Sequence, residues 1–164
     1  MNMKRFFALI AIAAMVSVSA YMLLRPAKEK AQTTNQGKIQ VVATFYPLHH
    51  FAEKVGGDKV QVSTATPAGS EPHNFEPSPK DLANYQSAKV FIYNGGNFEP
   101  WVLGFLTGYK NTAVNSSENL SLQDNDPHFW LDPVAAQQMI RNIESALAKA
   151  QPENASYFKQ NADM

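Results

Sequence analysis

The sequence predicts an α/β fold, a parallel β-sheet flanked by helices on both faces. Two observations carry that expectation. Short β-branched runs alternate with helix-period patterns along the chain. The first of those runs is almost continuously apolar, as in a strand buried on both faces. With 45% hydrophobic residues, the 164-residue chain has enough apolar material for a single core.

The elements follow in order. Residues 38–46 (KIQVVATFY) read as a strand. Pro47 opens a helix in which Leu48, Phe51, Ala52 and Val55 share a face, and Gly56-Gly57 ends it. Residues 60–65 form a second strand. Ser78 then caps a helix that has Pro79 in its first position and Asp81 in its first turn. A third strand, residues 89–93 (KVFIY), leads through Asn94-Gly95-Gly96 to a helix over about 98–106, and residues 112–115 form a fourth strand. Asp132 and Pro133 start a long helix whose apolar face is Ala136, Ile140, Ile143 and Leu147. Pro152 begins a last helix with only Tyr157 and Phe158 as bulky anchors, so its end is expected to fray first.

Ahead of the first strand, Lys4 and Arg5 precede an uncharged run over residues 6–24, the pattern of an export signal. Val18-Ser19-Ala20 suits cleavage, whereas the full run is long enough to span a bilayer as an anchor. Residues 1–30 are therefore a signal peptide or an N-terminal membrane anchor, and residues 31–37 (AQTTNQG) a linker. The chain has no cysteine, which excludes disulfides, a lipidated cysteine and thiolate metal ligation. From residue 31 onward there are nine Lys and Arg against thirteen Asp and Glu, a net charge of −4. An exported, mildly acidic domain has no footprint for nucleic acid and is better matched to cations.

One motif recurs, a carboxylate, a proline and a histidine: Glu71-Pro72-His73 and Asp126-Pro127-His128. Each follows a strand, at the carboxyl edge where open α/β sheets bind ligands. Proline stiffens each turn, and a stiff imidazole loses less entropy on binding a metal. His73 and His128 are the candidate metal ligands. Glu71 and Asp126 are candidate partners for the second ring nitrogen of each. His49 and His50 are adjacent, so on a helix they point apart, and a solvated helix start accounts for them. Asn94-Gly95-Gly96 lacks the Lys-Ser/Thr of a phosphate cradle and reads as a turn. Trp130, two residues from His128, is a candidate wall of the site.

The segment PAGSEPHNFEPSPKD (67–81) resembles the first metal-ligand loop of the zinc/manganese substrate-binding proteins of ABC transporters, and DPHFWLDP (126–133) is similar to their second. The segments ATFYPL (43–48), GGDKV (56–60) and VFIYNGGNFEPW (90–101) also match, in the same order. The resemblance implies two α/β lobes joined by a long backbone helix, with the metal in the cleft between them. Residues 38–151 are then the N-terminal metal-binding lobe, and residues 152–164 the start of the inter-lobe helix, in which the chain is truncated. The resemblance makes His73 and His128 two of four ligands, the others coming from a C-terminal lobe.

The expected function is extracytoplasmic capture of Zn²⁺ or Mn²⁺ and its delivery to an ABC importer permease, with no bond made or broken. The absence of histidine from residues 107–125 leaves the choice of metal open. One alternative is an exported zinc-dependent hydrolase, since three protein ligands and an open position make a catalytic zinc site. The chain has no His-Glu-x-x-His or Gly-x-Ser-x-Gly to support it. A surface adhesion protein is the other.

Overall fold

The computed structural model describes residues 37–121 and 126–164, together with Met3 and Met15. The signal or anchor expected over residues 1–30 lies outside the described residues but for Met3 and Met15, as does the linker but for Gly37. Among the described residues, no helix is long and apolar enough to cross a membrane.

Four strands, β1 (Ile39–Ala43), β2 (Val60–Thr64), β3 (Val90–Tyr93) and β4 (Thr112–Asn115), form one sheet in the order β2-β1-β3-β4. Every pairing is parallel. Among residues 37–121 and 126–164 the α-helices are α1 (Tyr46–Gly56), α2 (Pro79–Tyr85), α3 (Val102–Leu106), α4 (Pro133–Ala150) and α5 (Ala155–Ala162).

Strand side chains alternate between two apolar layers, which is why β1 and β3 read as continuous runs. Ile39, Val41, Ala43, Val90 and Ile92 meet Leu48 and Val55 of α1, Met139, Ile143 and Leu147 of α4, and Phe158 of α5. Val42 and Phe91 point the other way, into a smaller layer with Val102 and Phe105 of α3 and Leu82 and Tyr85 of α2. Helices therefore cover both faces. Strand order reverses between β1 and β3, so the loops leaving these central strands diverge at the carboxyl edge.

The local signals act as their chemistry requires. Ser78 and Asp81 form a reciprocal capping box on α2. Asp132 caps α4 by accepting from the N–H groups of Val134 (2.7 Å) and Ala135 (2.9 Å). Gly57, with φ of 53°, closes α1.

Two expectations change, and the last helix makes contacts that its sequence did not suggest. The helix expected from residue 98 is α-helical only from Val102, because Pro100 has no N–H to give and disfavours the helical conformation at Glu99. The buried face of α4 is Met139, Ile143, Ala146 and Leu147, with Ile140 on its flank, a rotation of the predicted stripe. The last helix is firmly seated. Phe158 is fully buried, Asn161 Nδ2 donates to the Val55 carbonyl at the end of α1 (2.9 Å), and Arg141 of α4 pairs with Asp163 (2.6 Å).

Candidate metal centre

Both acid-proline-histidine turns lie at the carboxyl edge, after β2 and β4, the two outer strands. In the first, Pro72 begins a single 3₁₀ turn, Pro72–Asn74, and Glu71 caps it by accepting the His73 N–H (3.3 Å). In the second, Asp126 Oδ1 accepts from both the His128 N–H (2.9 Å) and His128 Nδ1 (2.5 Å). Both carboxylates were expected to partner a ring nitrogen, and only Asp126 does so. Glu71 engages the backbone of its histidine, and Asp126 engages backbone and ring together.

These two bonds, backbone first, hold the Asp126 carboxyl below the usual carboxylate range. An ionised Asp126 accepts only, so in the neutral His128 ring the proton sits on Nδ1 and Nε2 keeps its lone pair. That lone pair faces the other histidine. His73 Nε2 and His128 Nε2 are 3.3 Å apart, although 55 residues separate them in the chain.

Beneath the pair lies an aromatic floor drawn from the central strands. Phe98, after β3, packs its ring edge-on to His73 at 4.2 Å between centroids and lies 5.8 Å from His128. Phe45, after β1, lies 4.7 Å from Phe98. Trp130 completes the group, 5.2 Å from His128, 5.0 Å from Phe98 and 4.6 Å from Phe45. Phe45 and Phe98 are buried. Sequence reasoning picked out Trp130 and missed both phenylalanines, whose signal was position alone: each follows the end of a central strand.

A buried polar knot stands behind this floor. The Glu99 carboxylate accepts from the Thr44 hydroxyl and from the Asn94 N–H (2.9 Å), so it laces together the ends of β1 and β3. Burial pushes its carboxyl above the ordinary value, against the lowering effect of those donors. The loop between Asn94 and Phe98 is left-handed throughout, with φ of 86°, 60° and 59° at Gly95, Gly96 and Asn97. It is a turn, not a phosphate cradle.

The other histidines are engaged elsewhere. His49 Nδ1 bonds Thr64 Oγ1 (2.9 Å), its Nε2 lies 3.3 Å from Glu53, and both His49 and His50 stack on Tyr46. A cleft of about 380 Å³ opens beside the pair, lined by Asp126, His128, Phe129 and Val134. Another of about 410 Å³, between α2 and β2, contains no histidine. Among the described residues no group of three or more His, Asp or Glu converges as a ready metal cage, so the geometry offers two imidazole donors and an open side.

Residues 41–164 match the family model described as zinc-uptake complex component A, periplasmic (ZnuA). The high-affinity zinc uptake system protein ZnuA of Bacillus subtilis is 34% identical over 147 residues, covering 76% of this chain and 46% of the relative. The crystal structure of the metal-dependent lipoprotein YcdH from Bacillus subtilis superposes with a TM-score of 0.74 at 38% identity, covering 77% of this chain and 50% of that one. The Zn(II)-bound ZnuA-like domain of Streptococcus pneumoniae AdcA gives 0.73 at 35% identity, with the same coverage of 77% and 50%. The chain spans about half the length of the relatives it matches. A parallel sheet with two histidine turns at one edge, and a family match over residues 41–164, lead to one conclusion: the chain belongs to the periplasmic zinc-uptake component (ZnuA) family.

Proposed function

We propose that His73 and His128 supply two ligands to a zinc ion that the protein captures outside the cytoplasm and hands to an ABC importer permease. The observation that carries this reading is the 3.3 Å between the two Nε2 atoms. Two nitrogens bound ~2.0–2.1 Å from one tetrahedral Zn²⁺ lie about 3.3–3.4 Å apart. The pair is therefore spaced as one edge of a zinc coordination tetrahedron.

Imidazole donors favour zinc over manganese, which prefers oxygen ligands. The relatives from Bacillus subtilis, a zinc uptake system protein, and Streptococcus pneumoniae, a Zn(II)-bound domain, point the same way. The ion is cargo, not a resident cofactor, and in this reading the chain is not an enzyme. Two imidazoles fill half of the tetrahedron and leave the rest to water or to further protein ligands. Asp126 holds the His128 ring in the tautomer that presents Nε2, and the aromatic floor fixes the depth of both rings.

Titration calorimetry of the chain with Zn²⁺ tests this. One ion per chain is expected, and His73→Ala or His128→Ala each lower the affinity at least about tenfold. Wild-type zinc binding by the double variant would overturn the assignment. An increase in zinc-dependent uptake on co-expression with a zinc ABC importer permease tests delivery.

A further inference from the structure

We infer that Asn94 is a positioning residue: it holds the turn that carries His128 and so sets the spacing of the histidine pair. The inference rests on the zinc-capture reading above and concerns a residue outside the ligand set.

Asn94 is fully buried at the end of β3. Its Nδ2 donates to the Pro127 carbonyl (2.8 Å), one bond before His128, and to the Gly95 carbonyl (3.1 Å). Both partners are acceptors only, so the amide has one allowed orientation. That orientation leaves Asn94 Oδ1 buried without a partner. An orphaned buried oxygen is a cost to stability, which a small apolar residue would avoid. A residue present for stability alone is poorly served by this arrangement. What it gains is the bond to Pro127.

That bond joins a central strand to a turn on the outer side of the sheet. Apart from the 3.3 Å approach of His128 Nε2 to His73 Nε2, the other polar bonds of the turn are short-range: Asp126 to His128, and the Phe129 N–H to the Pro127 carbonyl (2.9 Å). Among the described residues, Asn94 supplies the side-chain hydrogen bond that ties it to the sheet. Asn94 is itself held on three sides. Its N–H donates to Glu99, and its carbonyl accepts from the Ser117 N–H (3.2 Å) and the Ser116 hydroxyl (3.4 Å). A donor so fixed transmits the position of β3 to Pro127, and through it to His128. The same loop, four residues further on, delivers Phe98 under His73. Both imidazoles are thus referenced to one strand end.

The test compares Asn94→Ala and Asn94→Ser, whose side chains cannot reach Pro127, with Tyr109→Phe, which removes a buried hydrogen bond to the Ala88 carbonyl in the opposite apolar layer. The readouts are Co²⁺ affinity and its visible ligand-field bands, and, without metal, the nuclear Overhauser contact between the ring protons of His73 and His128. Both Asn94 variants are expected to lose about 10- to 100-fold in Co²⁺ affinity. They should also shift the bands and weaken the ring contact, while Tyr109→Phe keeps all three within about twofold of wild type. Folded Asn94 variants with wild-type affinity and ring contact would overturn the inference. So would failure of both to fold, which would make Asn94 a residue of stability alone. A wild-type chain that binds no Co²⁺ would remove the zinc reading while the ring contact still decides the positioning role.

Discussion

Replacing Phe98 with alanine separates the stability of the fold from the geometry of the histidine pair. Phe98 is 2% exposed and sits among Phe45, Trp130, His73 and His128, with centroid separations of 4.7, 5.0, 4.2 and 5.8 Å. Truncating a buried phenylalanine costs about 3–5 kcal/mol through lost transfer free energy and the cavity left behind. Phe91 is the matched control. It is fully buried in the opposite layer, packed on Phe105 at 4.6 Å, and touches neither histidine. Phe91→Ala should cost the same ~3–5 kcal/mol. Urea unfolding gives the two stabilities, and zinc titration below the transition gives the affinities. Similar destabilisation is expected from both, with zinc affinity reduced only in Phe98→Ala, where His73 loses the ring it rests on. Equal loss of affinity in the two variants, corrected for folded fraction, would refute the idea that the floor orients the pair.

Three further outcomes follow from features of the same edge and its supports. Phe158→Ala should lose about 3–5 kcal/mol and release α5, raising hydrogen exchange over residues 155–162 toward that of an isolated short helix. Gly95→Ala should cost about 1–3 kcal/mol in urea unfolding, because φ is 86° there and a Cβ would collide with the side chains of Asn115 and Ser117. For Glu99 the sign is set by its raised carboxyl. The stability it contributes is fully present below its unfolded value, near the 4.5 of a free glutamate, and is lost as pH rises through the higher folded value. The difference in unfolding free energy between wild type and Glu99→Gln, followed by urea unfolding from pH 4 upward, should therefore move against wild type with rising pH. A flat difference would show that the carboxyl is not perturbed.

Much of the fold was legible because its signals are local. Ser78, Asp132 and Gly57 act on backbone groups within a few residues, and the apolar runs of β1 and β3 mark strands covered on both faces. Even the sheet order had a trace in the sequence: the outer strands, VQVST and TAVN, carry more polar residues than the central ones, IQVVA and VFIY. Helix rotation was harder to read. In α4 an apolar stripe through Ile140 and one through Met139 share Ile143 and Leu147, and only the packing of α1 and α5 decides between them.

The centre divides in the same way. His73 and His128 stood out because a stiff turn and its neighbouring acid are sequence-local features. Their supports did not stand out. Phe98, Asn94 and Glu99 act across strands, through a ring contact with His73, a bond to Pro127 and a bond to Thr44, and no periodicity encodes such partnerships. The unequal roles of Glu71 and Asp126 were equally hidden, since both motifs have the same spacing and differ by one methylene.

The two histidines sit in turns that follow β2 and β4, the outermost strands, while Phe45 and Phe98 of their floor follow β1 and β3. An ion gripped by both imidazoles is therefore a strap thrown from one rim of the sheet to the other. Binding to the folded state alone stabilises it in proportion to the logarithm of ion concentration over the dissociation constant. Under the proposed zinc binding, that gain falls on the loops that follow the strands with a neighbour on one side only. A loaded chain and an empty one are then expected to differ most along those loops.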